Sequence, residues 1–96
     1  MNILNGWKSK EIPCGGNIKK NYYKIFTGIN NKEYTVNIFI SVFFSDAYIE
    51  EQGENILLIA FRDGKHKELE MDNFFDFNTA DEITAAYIEA NKAGLN

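Results

Sequence analysis

From Tyr34 to Phe44 the chain alternates. Tyr34, Val36, Ile38, Ile40, Val42 and Phe44 hold the even positions, and Thr35, Asn37 and Ser41 fall between them. A period of two marks a strand with one buried face. Upstream, Tyr22 to Ile29 reads as a second strand. Asn30-Asn31 then reads as a two-residue hairpin turn, because asparagine tolerates positive φ. Closing the hairpin there pairs Ile25 with Val36 and Tyr23 with Ile38, so the apolar positions of the two strands agree.

Downstream the pattern changes. The segment NILLIAFRDG, residues 55–64, is apolar at every position from Ile56 to Phe61. It reads as a third strand, and the Asp63-Gly64 turn leads into a fourth over Lys65 to Asn73. This register pairs Leu58 with Leu69 and Ile56 with Met71. It also pairs Leu57 with Glu70, Ile59 with Glu68 and Phe61 with His66.

The last periodic segment has helical spacing. Ile83, Ala86, Tyr87 and Ala90 make one apolar stripe. Thr79 and Glu82 fit a capping box, and Gly94 can close the helix. Ser45 to Gly53 reads as a short helix capped by Ser45, with acids in its first turns; an extended loop fits nearly as well. Residues 1–21 carry Ile3, Leu4, Trp7 and Ile12 without a clean period, and residues 13–17 (PCGGN) read as a loop.

The expected fold is α+β in a single domain, residues 1–96. An N-terminal arm (1–21) precedes a four-stranded antiparallel sheet (22–73), and a C-terminal helix (79–93) lies on one face. The helix-covered face collects Tyr23, Ile25, Val36, Ile38, Ile40 and Val42, joined by Ile56, Leu58, Leu69 and Met71. The second face collects Tyr22, Phe26, Phe39, Phe43, Leu57, Ile59 and Phe61. Among these stand Lys24, Thr35, Asn37, His66, Glu68 and Glu70.

Burying one large apolar side chain contributes about 1.5–3 kcal/mol. Half-burying the large apolar groups of the second face therefore adds about 5–10 kcal/mol, comparable to a whole domain's stability of about 5–15 kcal/mol. Three covers are expected for that face: the N-terminal arm, a second copy of the chain, or a different protein. In the last case Phe39, Phe43, Leu57, Ile59 and Phe61 form the partner-binding centre, with Glu68 and Glu70 on its rim.

Composition narrows the classes. The apolar content of 45% and charged content of 25% are those of a globular domain, which excludes a disordered chain. The net charge is −4, unevenly spread: residues 1–32 carry +5 and residues 33–96 carry −9. The net negative charge argues against direct nucleic-acid binding, and the uneven spread gives an acidic surface with a basic N-terminal arm. Cys14 is the single cysteine, so no internal disulfide forms and a cytoplasmic setting is expected. No run is long and apolar enough to suggest a membrane span.

Candidate chemistry is thin. A nucleophilic Cys14 needs a base, and nothing in the sequence brings the only histidine, His66, beside it. One His and one Cys do not make a metal site. The acid-rich DFNTADE (76–82) lacks the spacing of a calcium loop. No phosphate-binding glycine pattern occurs. Phe74, Phe75 and Phe77 read as a plug between strand and helix.

No enzyme, cofactor or metal is expected. The sequence instead suggests a small acidic module that binds another protein with a basic surface and occludes it. The alternatives are a homodimer using the same sheet face, and a ligand-binding domain or enzyme with a pocket near Cys14 and His66. In size, acidity and strand–strand–strand–strand–helix layout the chain resembles small phage-encoded inhibitors of bacterial defence, anti-CRISPR proteins among them, and toxin-neutralising immunity proteins. The resemblance is one of layout and carries over no functional residue.

Overall fold

Five strands follow one another in the chain: β1 (Lys8–Cys14), β2 (Asn17–Thr27), β3 (Glu33–Ile40), β4 (Ser45–Glu51) and β5 (Glu54–Ile59). They form an antiparallel meander in the order β1-β2-β3-β4-β5, with the alternating segment at its centre. A two-stranded hairpin follows, β6 (Phe61–Arg62) with β7 (Lys65–His66), then a 3-10 turn over Glu68–Asn73 and the helix α1 (Phe77–Ala93). The computed structural model describes residues 3–14, 17–41, 45–59, 61–62, 65–66 and 68–93. For Cys14, Asn17, Ala93 and the described residues from 57 to 70, the description is of the backbone. The α+β class, the antiparallel sheet and the C-terminal helix are as the sequence suggests.

The β2–β3 register differs from the expected one by a single residue. Asn30-Asn31 is not a two-residue turn. Thr27 pairs with Glu33 across a five-residue loop, so Lys24 lies opposite Val36 and Tyr22 opposite Ile38. The longer loop is held by its own hydrogen bonds. The Gly28 N–H donates to the Lys32 carbonyl at 2.7 Å, and the Asn31 N–H donates to the Gly28 carbonyl at 3.0 Å. The Lys32 N–H donates to Asn30 Oδ1 at 3.0 Å, and Asn31 takes the left-handed conformation at φ 66°. A one-residue slip exchanges the two faces of a strand. Tyr22 and Phe26 therefore belong to the core, while Ile25 is 60% exposed on the other side.

Residues 45–51 are a strand rather than a short helix. Ala47 and Ile49 point into the core, fully buried, while Asp46, Tyr48 and Glu50 alternate with them. Gln52 and Gly53 both have positive φ, 50° and 85°, and close the β4–β5 hairpin as a two-residue turn of the kind antiparallel pairs favour. The expected fourth strand, 65–73, survives only as β7. Phe61 does pair with His66, but Glu68 and Glu70 lie in the 3-10 turn and not opposite Ile59 and Leu57.

Residues 8–14 of the expected N-terminal arm do not drape over the sheet. They extend it as an edge strand, paired with β2 from Lys8↔Tyr23 to Cys14↔Asn17. Leu4 and Trp7 reach the core on the helix side, where the Trp7 and Phe26 rings lie 5.5 Å apart.

The core lies between the sheet and α1. Val36, Ile38 and Ile49 from the sheet meet Ile83, Ala86 and Ala90 from the helix, all at 0% exposure. Met71 and Phe75 fill the end of this layer, and Phe74 packs at its edge. Phe77, the third member of the expected plug, is instead 78% exposed. The helix begins earlier than Thr79. Asp76 is its cap, accepting from the Thr79 N–H at 2.8 Å. Glu82 is freed from capping and accepts a 2.8 Å ion pair from Lys24, tying the helix to β2. The Tyr87 hydroxyl donates to the Ser45 carbonyl at 3.1 Å, tying it to β4.

Candidate functional site: the open face of the sheet

With α1 on one side, the other side of the sheet has no described helix over it. Its residues follow from the register in three rows. The first runs Lys10, Asn21, Phe39, Asp46 across β1 to β4. The second runs Lys8, Tyr23, Asn37, Tyr48, and the third Ile25, Thr35, Glu50 from β2 to β4. Strand pleating, not sequence proximity, brings these together.

The face has two parts. On one, the Phe39 and Tyr48 rings meet edge to face at 5.8 Å, and the Lys19 ammonium lies 4.9 Å from the Phe39 centroid. Both rings are half-buried. Such pairs are rigid amphipathic anchors. The other part is a concave basin of about 590 Å³, bounded by Gly6, Lys8 and Lys10 on one side and Glu50 on the other, with Tyr23 and Ile25 along it.

The basin floor is polar. Asn21 and Asn37 are 3% and 7% exposed. The Asn21 amide donates to the Tyr22 carbonyl at 3.2 Å and reaches the Ile38 carbonyl at 3.4 Å and Asn37 Oδ1 at 3.5 Å. The Asn37 amide donates to Glu50 Oε1 at 2.9 Å, which fixes the carboxylate at the rim. Burying amides is tolerable only when they are bonded, so this chain of bonds holds the floor rigid. Lys10 lies over the Tyr23 ring, 5.7 Å from its centroid. Neither Lys8 nor Lys10 has an ion pair among the described residues. The face is thus basic at its β1–β2 border and acidic at its β4 border.

Of the residues the sequence nominated for partner binding, Phe39 stands on this face. Phe43 lies outside the described residues. Leu57 and Ile59 lie opposite Ile49 and Ala47 in the β4–β5 ladder, not opposite Glu70 and Glu68 as expected. The side chains of Leu57, Ile59, Phe61, Glu68 and Glu70 lie outside the description, as do those of Cys14 and His66, around which a pocket was expected. The residues the sequence reading missed are Lys8, Lys10, Asn21, Tyr23, Tyr48 and Glu50. One signal was available: lysines two apart on a strand share a face.

Among the described residues no group of three or more His, Cys, Asp or Glu side chains is placed to hold a metal ion. No described helix is long and apolar enough to cross a membrane. The fold and face together define a small α+β protein whose sheet has one surface covered by α1 and one with no described helix upon it. Compared with known proteins, no family model, no curated protein and no solved structure matches the chain.

Proposed function

We propose that the protein is a non-enzymatic, protein-binding module that works through the open face of its sheet. The observation that carries this reading is the Phe39–Tyr48 aromatic pair beside a concave basin, on the face opposite α1, with charged residues at both borders. Interfaces are anchored by a few aromatic groups inside a polar rim. Asp46 and Glu50 supply an acidic part of that rim. The overall charge of −4 suits a partner with a basic surface and speeds its encounter. A module of this kind acts as a blocker when the basic surface it covers is one its target needs, such as a nucleic-acid-binding groove.

A photo-crosslinking amino acid in place of Phe39, used in the native cell, tests the reading. The expected result is a crosslink to one foreign protein that is lost on Asp46→Lys with Glu50→Lys. The same probe at Ile88, exposed on α1, serves as the comparison. Crosslinking from Ile88 alone overturns the open-face reading. Crosslinking from Phe39 to a second copy of the chain replaces the foreign partner by a homodimer.

A further inference from the structure

The basin has a charge pattern that says more about its occupant than its apolar content does. Lys8 and Lys10 stand on β1 and Glu50 on β4, three strand spacings away. At 4.7–4.9 Å per spacing, and with Lys8 two and Lys10 four residues out of Glu50's row, the backbones stand about 16 Å apart at Lys8 and about 20 Å apart at Lys10. The lysine stems reach inward and shorten the gap between the charges. A chain of three residues spans about 10 Å. Tyr23 and Ile25 give an apolar bed between the two ends, and Ile25 is 60% exposed with nothing described upon it. Tyr23 and Thr35 line the basin and bring hydroxyls of a kind that bonds peptide groups.

We propose that the basin binds a short peptide segment laid across the strands, with its anionic end at Lys8 and Lys10 and its cationic end at Glu50. The inference deepens the docking reading and rests on it: the segment is the part of the partner that enters the face. Each feature of the basin has a role. The two ammonium groups, without an ion pair among the described residues, meet a carboxylate. The Glu50 carboxylate, held by the Asn37 amide through Oε1, presents Oε2 to an ammonium or guanidinium. The rigid amide floor avoids the ordering cost that a flexible site incurs on binding. The shape also argues against a second copy of the chain as occupant, because two concave faces placed together leave a void.

The test is a titration of the labelled protein, followed by amide NMR, with the zwitterionic tripeptide alanyl-leucyl-alanine. The controls are its acetylated, amidated form and acetate. The free tripeptide is expected to shift Tyr23, Thr35 and Glu50 saturably. Blocking its termini should weaken binding about tenfold or more, the effect of losing a charge-assisted bond. Lys8→Glu with Lys10→Glu and, separately, Glu50→Gln should each weaken it about as much. The glutamine variant keeps an acceptor for Asn37, so it serves if the double charge reversal does not fold.

No shift at roughly 10 mM peptide overturns the proposal. So does equal binding of acetate, which shows a bare-anion site. Concentration-dependent shifts at the same residues without peptide also overturn it, because they show self-association. An intact crosslink from Phe39 with no peptide binding sinks this inference alone; loss of both sinks the docking reading.

Discussion

Gly28→Ala isolates one steric contact. Gly28 is buried in the β2–β3 loop, and its φ is not in the left-handed region, so alanine is allowed by the backbone. Space forbids it. An added Cβ would lie 2.6 Å from Tyr34 Cε2, 2.9 Å from the Phe74 carbonyl oxygen and 2.9 Å from Asn30 Oδ1. Tyr34 is 3% exposed and wedged edge-on between Phe74 and Phe75, so it has nowhere to go. Asn30 is held by its bonds to Tyr34 and Lys32. The remaining relief is to part the loop from residue 74, which lengthens the 2.8 Å bond from the Ile29 N–H to the Phe74 carbonyl.

Overpacking costs about 1–3 kcal/mol, and the weakened hydrogen bond about 1 kcal/mol. Restricting the unfolded chain returns about 0.4–1 kcal/mol. The net loss is about 1–3 kcal/mol, or roughly 5–20 °C in Tm for a domain of this size. Thermal unfolding followed by far-UV circular dichroism measures it. Gly53→Ala is the control: nothing lies within 4 Å, but φ is +85°, so its cost of about 1 kcal/mol is conformational. An unchanged or raised Tm for Gly28→Ala refutes the steric argument.

Two further outcomes follow from the same structure. The β2 register predicts that Ile38→Ala costs about 2–5 kcal/mol, whereas Ile25→Ala, at an exposed position, stays within about 0.5 kcal/mol. Comparable losses from both in urea unfolding would restore the register that the sequence suggested. Asp76 accepts from the Thr79 N–H and also from its hydroxyl, which together hold its carboxyl below the ordinary 3.8. A lowered folded-state pKa gives stability that is present above the unfolded value and lost as pH falls through the folded one. Asp76→Ala should therefore lower Tm by a few degrees at pH 7, and the gap from the wild type should narrow as pH falls below about 4, where the protonated carboxyl is only a neutral acceptor for the Thr79 N–H; a gap that does not narrow refutes the charge-assisted cap.

The parts of the fold that the sequence made legible are those where one physical signal acts alone. Val36, Ile38 and Ile40 alternate because one side of β3 is core, and Ile83, Ala86, Tyr87 and Ala90 recur at helical spacing because one side of α1 is. The Asp63-Gly64 turn correctly set Phe61 against His66. Where two signals competed, the reading failed. β1 is an edge strand carrying Lys8, Lys10 and Pro13, the residues that keep an edge from pairing further, and they erase apolar periodicity. In β4, Ser45 and the acids imitate a capped helix, although Ala47 and Ile49 show the strand's period. In β2 both faces carry apolar residues, so Tyr22-Tyr23 and Ile25-Phe26 fit either register, and only the loop's hydrogen bonds choose. The candidate site was the least legible. Lys10, Asn21, Phe39 and Asp46 come together through three successive registers, and one error in the chain of pairings disperses them.

The meander also sets an order of events at the ribosome. Every strand of the main sheet bonds only to its neighbour in sequence, so each hairpin can zip as it emerges. The helix that shelters Val36, Ile38 and Ile49 comes last. At 5–20 residues per second, the stretch from Ile59 to Ala93 takes about two to seven seconds to synthesise. For that interval the nascent sheet holds its greasiest side uncovered, which makes the newborn chain a natural client for a chaperone.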